Sequence, residues 1–174
     1  MFPLTLGLAS WPILLVGVGR ALERRIALVS EAGARDIRVQ PPHAACAATI
    51  AEARLLFVAG IAREDAAPLA RVARAHRVLV NVEDVPDLCD FHVPALVRRG
   101  DLSIAISTAG TNPGLAAALR RELDARFDAS WDSHMQSANM LRARMRADGS
   151  PMRDVARAME LCVTSWVGTE PFPS

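Results

Sequence analysis

The sequence predicts an α/β fold built on a mostly parallel, doubly wound sheet with helices on both faces. Short continuous apolar runs alternate with amphipathic stretches through residues 12–82, the rhythm of strand–helix–strand units. A glycine-containing turn separates the first apolar run from the first amphipathic stretch. Hydrophobic residues make up 51% of the 174 residues and aromatic residues only 5%, so the core consists mainly of small aliphatic side chains, which suit strands buried on both faces.

The first elements form a strand–helix–strand unit. A short apolar run ends at Gly17, apolar residues at helical spacing follow, and Gly33 ends that pattern as a good helix terminator. We predict a strand over 12–16, a helix over 20–32 and a strand over 37–39. The same alternation then predicts one helix over 41–53, a strand over 55–59, a helix over 63–75 and a strand over 78–82.

The rhythm changes after residue 90. Two apolar segments are separated only by residues 98–101, which is too short for a parallel crossover and indicates a hairpin. Asn112 at the N-cap and Pro113 at the first helical position then predict a helix start. We predict strands over 91–97 and 102–107 and helices over 112–127, 130–146 and 151–167.

Composition excludes several classes of function. All twenty basic residues are arginine, so lysine Schiff-base chemistry and a phosphate-binding P-loop lysine are ruled out. The formal net charge of +1 argues against a nucleic-acid partner. Three widely spaced cysteines support neither a disulfide framework nor a cysteine-based zinc site, and no metal site is predicted. Prolines and a glycine interrupt the apolar residues 1–18, so we expect no membrane span, no signal peptide and a cytoplasmic location.

The turn at residues 17–22 (GVGRAL) is a candidate dinucleotide-binding loop. Gly17 permits a tight turn from strand to helix, Gly19 lets backbone amides approach a pyrophosphate, and the helix start carries partial positive charge. The cofactor-binding candidates here are Gly17, Val18, Gly19, Arg20 and Ala21. Many ordinary strand-to-helix turns also contain Gly-x-Gly, so a purely structural turn is the alternative.

The acidic residue that usually reads the ribose is missing. Asp36 precedes the second strand and therefore lies at the wrong end of the sheet. Gln40 stands where a ribose hydroxyl would be read, and an amide can hydrogen-bond a hydroxyl. This pattern leaves NAD and NADP open.

Two further segments combine polar groups near predicted element ends. Residues 81–92 hold four carboxylates, Cys89 and His92 after the fourth strand, where doubly wound folds bind ligands. The alternative is a solvated acidic turn in which Asp84 and Asp87 bond their own backbone. Residues 107–113 (STAGTNP) lead into a capped helix and form either an anion cradle or an ordinary capping loop.

Together these segments resemble the N-terminal module of siroheme synthases across residues 14–127. The family's V-G-G-G-x-V-A-x-R-K loop is similar to residues 16–25. Its N-V-x-D-x-P-x-L-C-D-F-x-x-P-A stretch matches residues 81–95 nearly throughout. Its R-G-x-L-x-I-A-I-S-T-G-G-x-x-P stretch matches residues 99–113, with Ala109 replacing a glycine.

The resemblance implies a shortened Rossmann-like NAD-binding domain over 1–93, a β-hairpin-plus-helix dimerisation element over 94–127 and a helical C-terminal domain over 128–174. It implies a homodimer that oxidises precorrin-2 to sirohydrochlorin with NAD⁺. Many members of the family also insert ferrous iron to give siroheme, with the iron as a substrate.

The resemblance also implies residue roles. The family's essential aspartate corresponds to Asp84, which would act as a general base, and like charges at its acidic neighbours would favour proton uptake. Ser107 or Thr108 corresponds to a serine close to the substrate. Further candidates are Gln40, Ala59, Gly60, Asn81 and Val82 for the cofactor and Gly110 and Asn112 for the substrate. We also assign Arg98, Arg99 and Arg120 as partners for substrate carboxylates.

The sequence departs from the family pattern at several positions. Val18 replaces the middle glycine, Leu22 replaces an alanine, and residues 59–62 (AGIA) replace an A-A-T-D-like loop. A helix and a strand expected between Gln40 and Leu55 are missing. These departures motivate a second hypothesis, a non-catalytic relative that binds tetrapyrroles or nucleotides. A third, a different Rossmann oxidoreductase with a small substrate, is disfavoured by the match over residues 81–95.

Overall fold

The computed structural model describes residues 3–167 and divides into two compact units. One unit runs up to Val93 and the other begins at Pro94. The division of the second unit into a dimerisation element over 94–127 and a helical part over 128–174 stays a prediction. Residues 1–2 and 168–174, which these domain predictions include, lie outside the described residues.

A four-stranded parallel sheet forms the centre of the first unit. Its strands are β1 (Pro12–Gly17), β2 (Asp36–Gln40), β3 (Leu55–Ala59) and β4 (Leu79–Val82), in the order β2-β1-β3-β4. Its helices are α1 (Gly19–Glu31), α2 (Ala47–Ala51) and α3 (Arg63–Ala75). Because every pairing is parallel, all four carboxyl ends lie at one edge of the sheet. The predicted α/β class, with a shortened sheet, is confirmed.

Both faces of this sheet are buried. On one face, Ala66, Ala70 and Ala73 are fully buried on α3, and their small side chains let the helix approach the strands closely. On the other face, α1 contributes Val29 and the partly buried Leu22 to a second cluster. The central β3 is buried at all five positions, as expected for a strand covered on both sides.

The single helix predicted over 41–53 is wrong. A 3-10 turn over Pro42–Ala44 is followed by a separate helix, α2. Two successive prolines hold an extended start, and Cys46, also extended, begins the new helix. The Cys46 backbone N–H donates to the Thr49 hydroxyl at 3.2 Å, which stabilises that second start.

The second unit begins with an antiparallel hairpin. Its strands are β5 (Ala95–Arg99) and β6 (Leu102–Ile106), and three helices follow: α4 (Pro113–Arg126), α5 (Ser130–Ala147) and α6 (Met152–Val167). The hairpin is confirmed, but the predicted strand start at residue 91 is wrong. Phe91 and Val93 pack against the core of the first unit instead. Gly100, in the left-handed region at φ +53°, opens a two-residue turn.

The start of α4 agrees with its sequence pattern. The Asn112 side-chain oxygen accepts a hydrogen bond from the Leu115 backbone N–H at 2.9 Å, and Pro113 occupies the first helical position. None of the helices within residues 3–167 combines the length and apolar character that crossing a membrane requires.

A contrast between two glycines tests the packing at the carboxyl end of β1. A Cβ at Gly17 would lie 1.8 Å from the Ala59 carbonyl oxygen, whereas a Cβ at Gly19 would meet no atom within 4 Å. We expect Gly17→Ala to lower the free energy of unfolding by about 3 kcal/mol through overpacking. Gly19→Ala should cost about 1 kcal/mol, because its left-handed φ of +66° strains an alanine. Urea unfolding measures both, and equal losses would contradict this packing.

Candidate functional site

The loops that follow β1 and β3 are locked together at the carboxyl edge of the sheet. The Val18 backbone N–H donates to the Ala59 carbonyl at 3.2 Å. A Cβ at Gly60 would lie 2.2 Å from the Val18 carbonyl oxygen, so only glycine allows this approach. Ala59 is buried and serves this contact through its backbone, while Gly60 is exposed. Ala21 lies on the adjoining turn of α1, where its Cβ would be 3.3 Å from a Cβ at Gly60.

The start of α1 is open for an anionic group. No side chain caps it, and its first turn holds no acidic residue, so its backbone donors and partial positive charge are not neutralised locally. The space beside Gly19 is free within 4 Å of a Cβ position. Val18 and Arg20 are both exposed. This arrangement fits a pyrophosphate approached by backbone amides.

Gln40 supplies a second feature that fits a dinucleotide. It is the last residue of β2, at the same carboxyl edge as the loop after β1. Its Oε1 atom is buried and accepts no hydrogen bond from any group within residues 3–167. A buried acceptor without a donor costs free energy, and a ribose hydroxyl is a donor of suitable size.

Three of the four carboxylates in residues 81–92 are neutralised by arginines. The ion pairs join Glu83 to Arg24 at 3.2 Å, Asp87 to Arg63 at 2.7 Å and Asp90 to Arg74 at 2.8 Å. The hydrogen-bonded Arg63 guanidinium lowers the pKa of the Asp87 carboxyl. Asp90 also accepts a hydrogen bond from the Val80 backbone N–H at 3.1 Å, which ties the segment to β4.

Asp84 is the exception among these carboxylates. It is exposed, and its side chain makes no hydrogen bond or ion pair with any group in residues 3–167. Its backbone is in the left-handed region at φ +58°, which aspartate tolerates better than most residues with a side chain. Of the two backbone bonds in the acidic-turn alternative, the one at Asp87 is present, because its own backbone N–H bonds its carboxylate, whereas none is found at Asp84 among the described residues. The like-charge repulsion expected from its neighbours is also unsupported, because an arginine offsets each of them.

Cys89 and Asn81 hold the acidic segment in place. The Cys89 thiol donates to the Val82 carbonyl at 3.1 Å and accepts from the Val82 N–H at 3.2 Å, and burial raises its pKa. The Asn81 amide nitrogen donates to the Phe91 carbonyl at 3.0 Å, while its Oδ1 is buried without a partner among the described residues. The Val82 side chain packs in the core. Of the cofactor candidates Asn81 and Val82, Val82 has its backbone N–H and carbonyl bonded to Cys89, and only Asn81 Oδ1 lacks a partner among the described residues.

Nothing in the described part of the chain resembles a metal site. Residues 3–167 bring together no group of three or more histidine, cysteine, aspartate or glutamate side chains that could hold a metal ion. His92 is half-buried beside the acidic segment, and Cys89 is occupied by the backbone bonds described above.

In the loop before α4 in the second unit, the two candidate hydroxyl groups differ in their hydrogen bonds. The Thr108 hydroxyl donates to the Asn112 carbonyl at 2.9 Å, and Asn112 uses its side-chain oxygen as the cap of α4. The exposed Ser107 hydroxyl accepts a hydrogen bond from the Ala109 N–H at 3.2 Å and keeps its own proton free to donate. Gly110, at φ +79°, continues the loop with open space around it. Ser107 is therefore better placed than Thr108 to bind a ligand.

Comparisons with known proteins agree with this geometry. Residues 4–95, more than half of the chain, match a family described as putative NAD(P)-binding. Residues 99–126 match a family described as sirohaem biosynthesis protein central. The chain belongs to the putative NAD(P)-binding family and is similar to the N-terminal module of siroheme synthases.

Individual relatives give the extent of this similarity. A siroheme synthase of Methylobacillus flagellatus is 34% identical over 147 residues, covering 74% of this chain and 32% of the relative. One of Methylococcus capsulatus is 32% identical over 162 residues, covering 83% and 34%. The chain thus spans about a third of the length of these relatives. A solved structure titled SirC, precorrin-2 dehydrogenase, shares the fold, with a TM-score of 0.71, 22% identity and coverage of 94% of this chain and 88% of that one.

The departures from the siroheme synthase loop pattern leave the loop open. Leu22 packs against the core cluster beneath α1 and so contributes to packing. Val18 is 49% exposed and does not fill the space beside Gly19. Neither substitution blocks the start of the helix.

The proposed substrate arginines differ in their surroundings. Arg99 is fully engaged within the second unit, because it donates to the carbonyls of Asp128 and Asp124, each at 2.9 Å. Its assignment as a substrate ligand is therefore wrong. Arg98 and Arg120 make no ion pair within residues 3–167. The sequence does not predict the roles of Arg24, Arg63 and Arg74, because their carboxylate partners lie 16 to 59 residues away and no local pattern marks the pairs.

Proposed function

We propose that this chain oxidises precorrin-2 to sirohydrochlorin with NAD⁺. The observation that carries the proposal is the free carboxylate of Asp84, at the same sheet edge as the open start of α1. The names of the similar siroheme synthases and of the SirC structure support the substrate class. NAD⁺ is preferred to NADP⁺ because residues 41–53, after Gln40, hold no arginine or lysine to bind a 2′-phosphate.

The residues of the chain supply binding and proton transfer. NAD⁺ bound at this loop would supply the acceptor for the hydride that leaves the macrocycle. Asp84 accepts the proton that must leave with it, so the reaction yields NADH and a proton. The amides at the start of α1 hold the pyrophosphate, and Gln40 Oε1 accepts a bond from a ribose hydroxyl. Ser107, Gly110 and Asn112 of the second unit are proposed substrate contacts.

Ferrous iron insertion is a proposed second activity. Entry of Fe²⁺ into sirohydrochlorin displaces two pyrrole protons, and Asp84 is the unpaired carboxylate that we assign to accept them. Adding ferrous iron to a completed dehydrogenation should then produce the siroheme absorbance spectrum.

We also propose a homodimer. The β5–β6 hairpin forms a two-stranded sheet on its own, and such a sheet is marginal without further packing. Its unpaired strand edges are sites for association with a second chain. Sedimentation velocity at micromolar concentration should show a dimer, and a monomer alone would contradict this proposal.

The first test of the cofactor site is Gly19→Asp. The new carboxylate would occupy the open space beside the helix start and repel the pyrophosphate, so NAD⁺ binding measured by calorimetry should be abolished. Gly19→Asn is the matched control, because asparagine has the same shape without the charge and tolerates a left-handed backbone. It should bind NAD⁺ more tightly than Gly19→Asp. Unchanged binding by Gly19→Asp would make the loop purely structural.

The second test is Asp84→Asn. Asparagine tolerates the left-handed backbone but accepts a proton poorly, so the fold and NAD⁺ affinity should persist while precorrin-2 turnover falls about a hundredfold. Asp87→Asn is the control in the same segment, since Asp87 is already paired with Arg63, and it should leave turnover nearly unchanged. If Asp84→Asn turns over like the parent protein, Asp84 has no part in the mechanism. A large drop in thermal stability would instead assign Asp84 to the turn.

A further inference from the structure

A groove of about 340 Å³ lies at the amino edge of the sheet, opposite the loops described above. Its lining residues come from the segments that lead into β1, β3 and β4. They are Trp11, Ala53, Arg54, His76, Arg77 and Leu79. The volume lies in the range of small-molecule sites, and the lining combines an indole and two aliphatic surfaces with three basic groups.

The two arginines of this groove are not neutralised by the protein. Neither Arg54 nor Arg77 has a carboxylate within 4.0 Å in the described part of the chain. The Arg54 guanidinium instead lies over the Trp11 ring, 5.5 Å from its centre, which orients the cation and leaves N–H donors unused. The chain carries a net charge of only +1, so this local excess of positive charge is not a property of the whole surface.

Arg77 also has an unusual backbone conformation. After α3, the Val78 N–H donates to the Ala73 carbonyl at 2.9 Å, and Arg77 takes the left-handed position at φ +59°. The ends of α1 and α5 make the equivalent bond, but there the left-handed residues are Gly33 and Gly149. Glycine is favoured at this position. Arg77 therefore holds a position that is unfavourable for a residue with a side chain, and that side chain lines the groove.

We propose that this groove binds a small aromatic oxyanion, with a nucleoside monophosphate as the representative ligand. Arg54 and Arg77 precede the paired strands β3 and β4 and both line this groove, so it offers two guanidinium groups to an anion. Trp11, Ala53 and Leu79 offer apolar surface to the ring. The site is separate from the proposed cofactor loop, because the two lie at opposite edges of one parallel sheet.

The test titrates the Gly19→Asp protein, whose cofactor loop is blocked, with AMP, with phthalate and with neutral adenosine. Binding is followed by the indole N–H resonances of the three tryptophans. AMP should shift the Trp11 resonance saturably and leave Trp131 and Trp166 in place, while adenosine should bind at least tenfold more weakly. If phthalate binds as tightly as AMP does, the ligand is an aromatic carboxylate, which is also a small aromatic oxyanion. If Gly19→Asp does not fold, the same Trp11 signal in the parent protein locates the binding.

Substitutions at Arg77 separate binding from folding. Arg77→Gly relieves the left-handed strain, so its melting temperature should equal or exceed that of the parent, yet AMP binding should weaken at least tenfold. Arg71→Gln, which removes an exposed charge from α3 outside the groove, should leave AMP binding unchanged. The proposal is overturned if no probe shifts Trp11 saturably, if Arg77→Gly binds AMP like its parent, or if Arg71→Gln weakens binding equally. The Arg77→Gly variant of the protein that keeps Gly19 should bind NAD⁺ as the parent does. Failure of the groove proposal is therefore distinguishable from failure of the proposed function.

Discussion

The close approach of the β1 and β3 backbones at their carboxyl ends is the constraint on which the first unit depends. Gly17 is in register with Ala59, and the Val18 N–H bonds the Ala59 carbonyl. Without a Cβ at Gly17 or Gly60, the two loops meet backbone to backbone, and no side chain within residues 3–167 caps the start of α1. The same parallel register places Gln40 and the end of β4 at this edge, so packing in the core determines where polar groups gather.

A second constraint is the distribution of charge after β4. Exposed ion pairs contribute little stability individually, often well under 1 kcal/mol. Their effect here is geometric, because Asp87 and Asp90 are held by α3 while Glu83 is held by α1. Asp84 lies between these anchors with a left-handed backbone, which aspartate tolerates, and with a free carboxylate. The lack of an ion-pair partner among the described residues singles out Asp84 from its acidic neighbours.

The sequence predicted most of the first unit because its apolar periodicity agrees with its packing. The helix over 63–75 was predicted with the bounds that α3 has, since its buried alanines recur at helical spacing and its polar residues face solvent. The prediction of one helix over 41–53 is wrong because the geometry of the two prolines and the new helix start at Cys46 outweigh the helical propensity of the alanines. The prediction that a strand starts at residue 91 is wrong because Phe91 packs edge-on against Phe57, which is distant in sequence.

Composition and resemblance predict the candidate site, but they do not predict which of its side chains form ion pairs or hydrogen bonds. Nothing local to residues 81–92 indicates which carboxylates find partners, because the arginines come from α1 and α3. The same holds for the choice between Ser107 and Thr108, which depends on a bond across the loop to Asn112. Long-range pairing of polar side chains is therefore the part of this site that only the folded chain reveals.

The activity proposed for this chain is hydride transfer from a tetrapyrrole to NAD⁺ without a further protein. The most direct measurement is anaerobic single-turnover absorbance, with the protein in excess over precorrin-2 and saturating NAD⁺. One NADH should form for each sirohydrochlorin, and the two products should appear at the same rate. Tight binding of both molecules with no NADH formed would contradict it and would leave a protein that binds its ligands without catalysis.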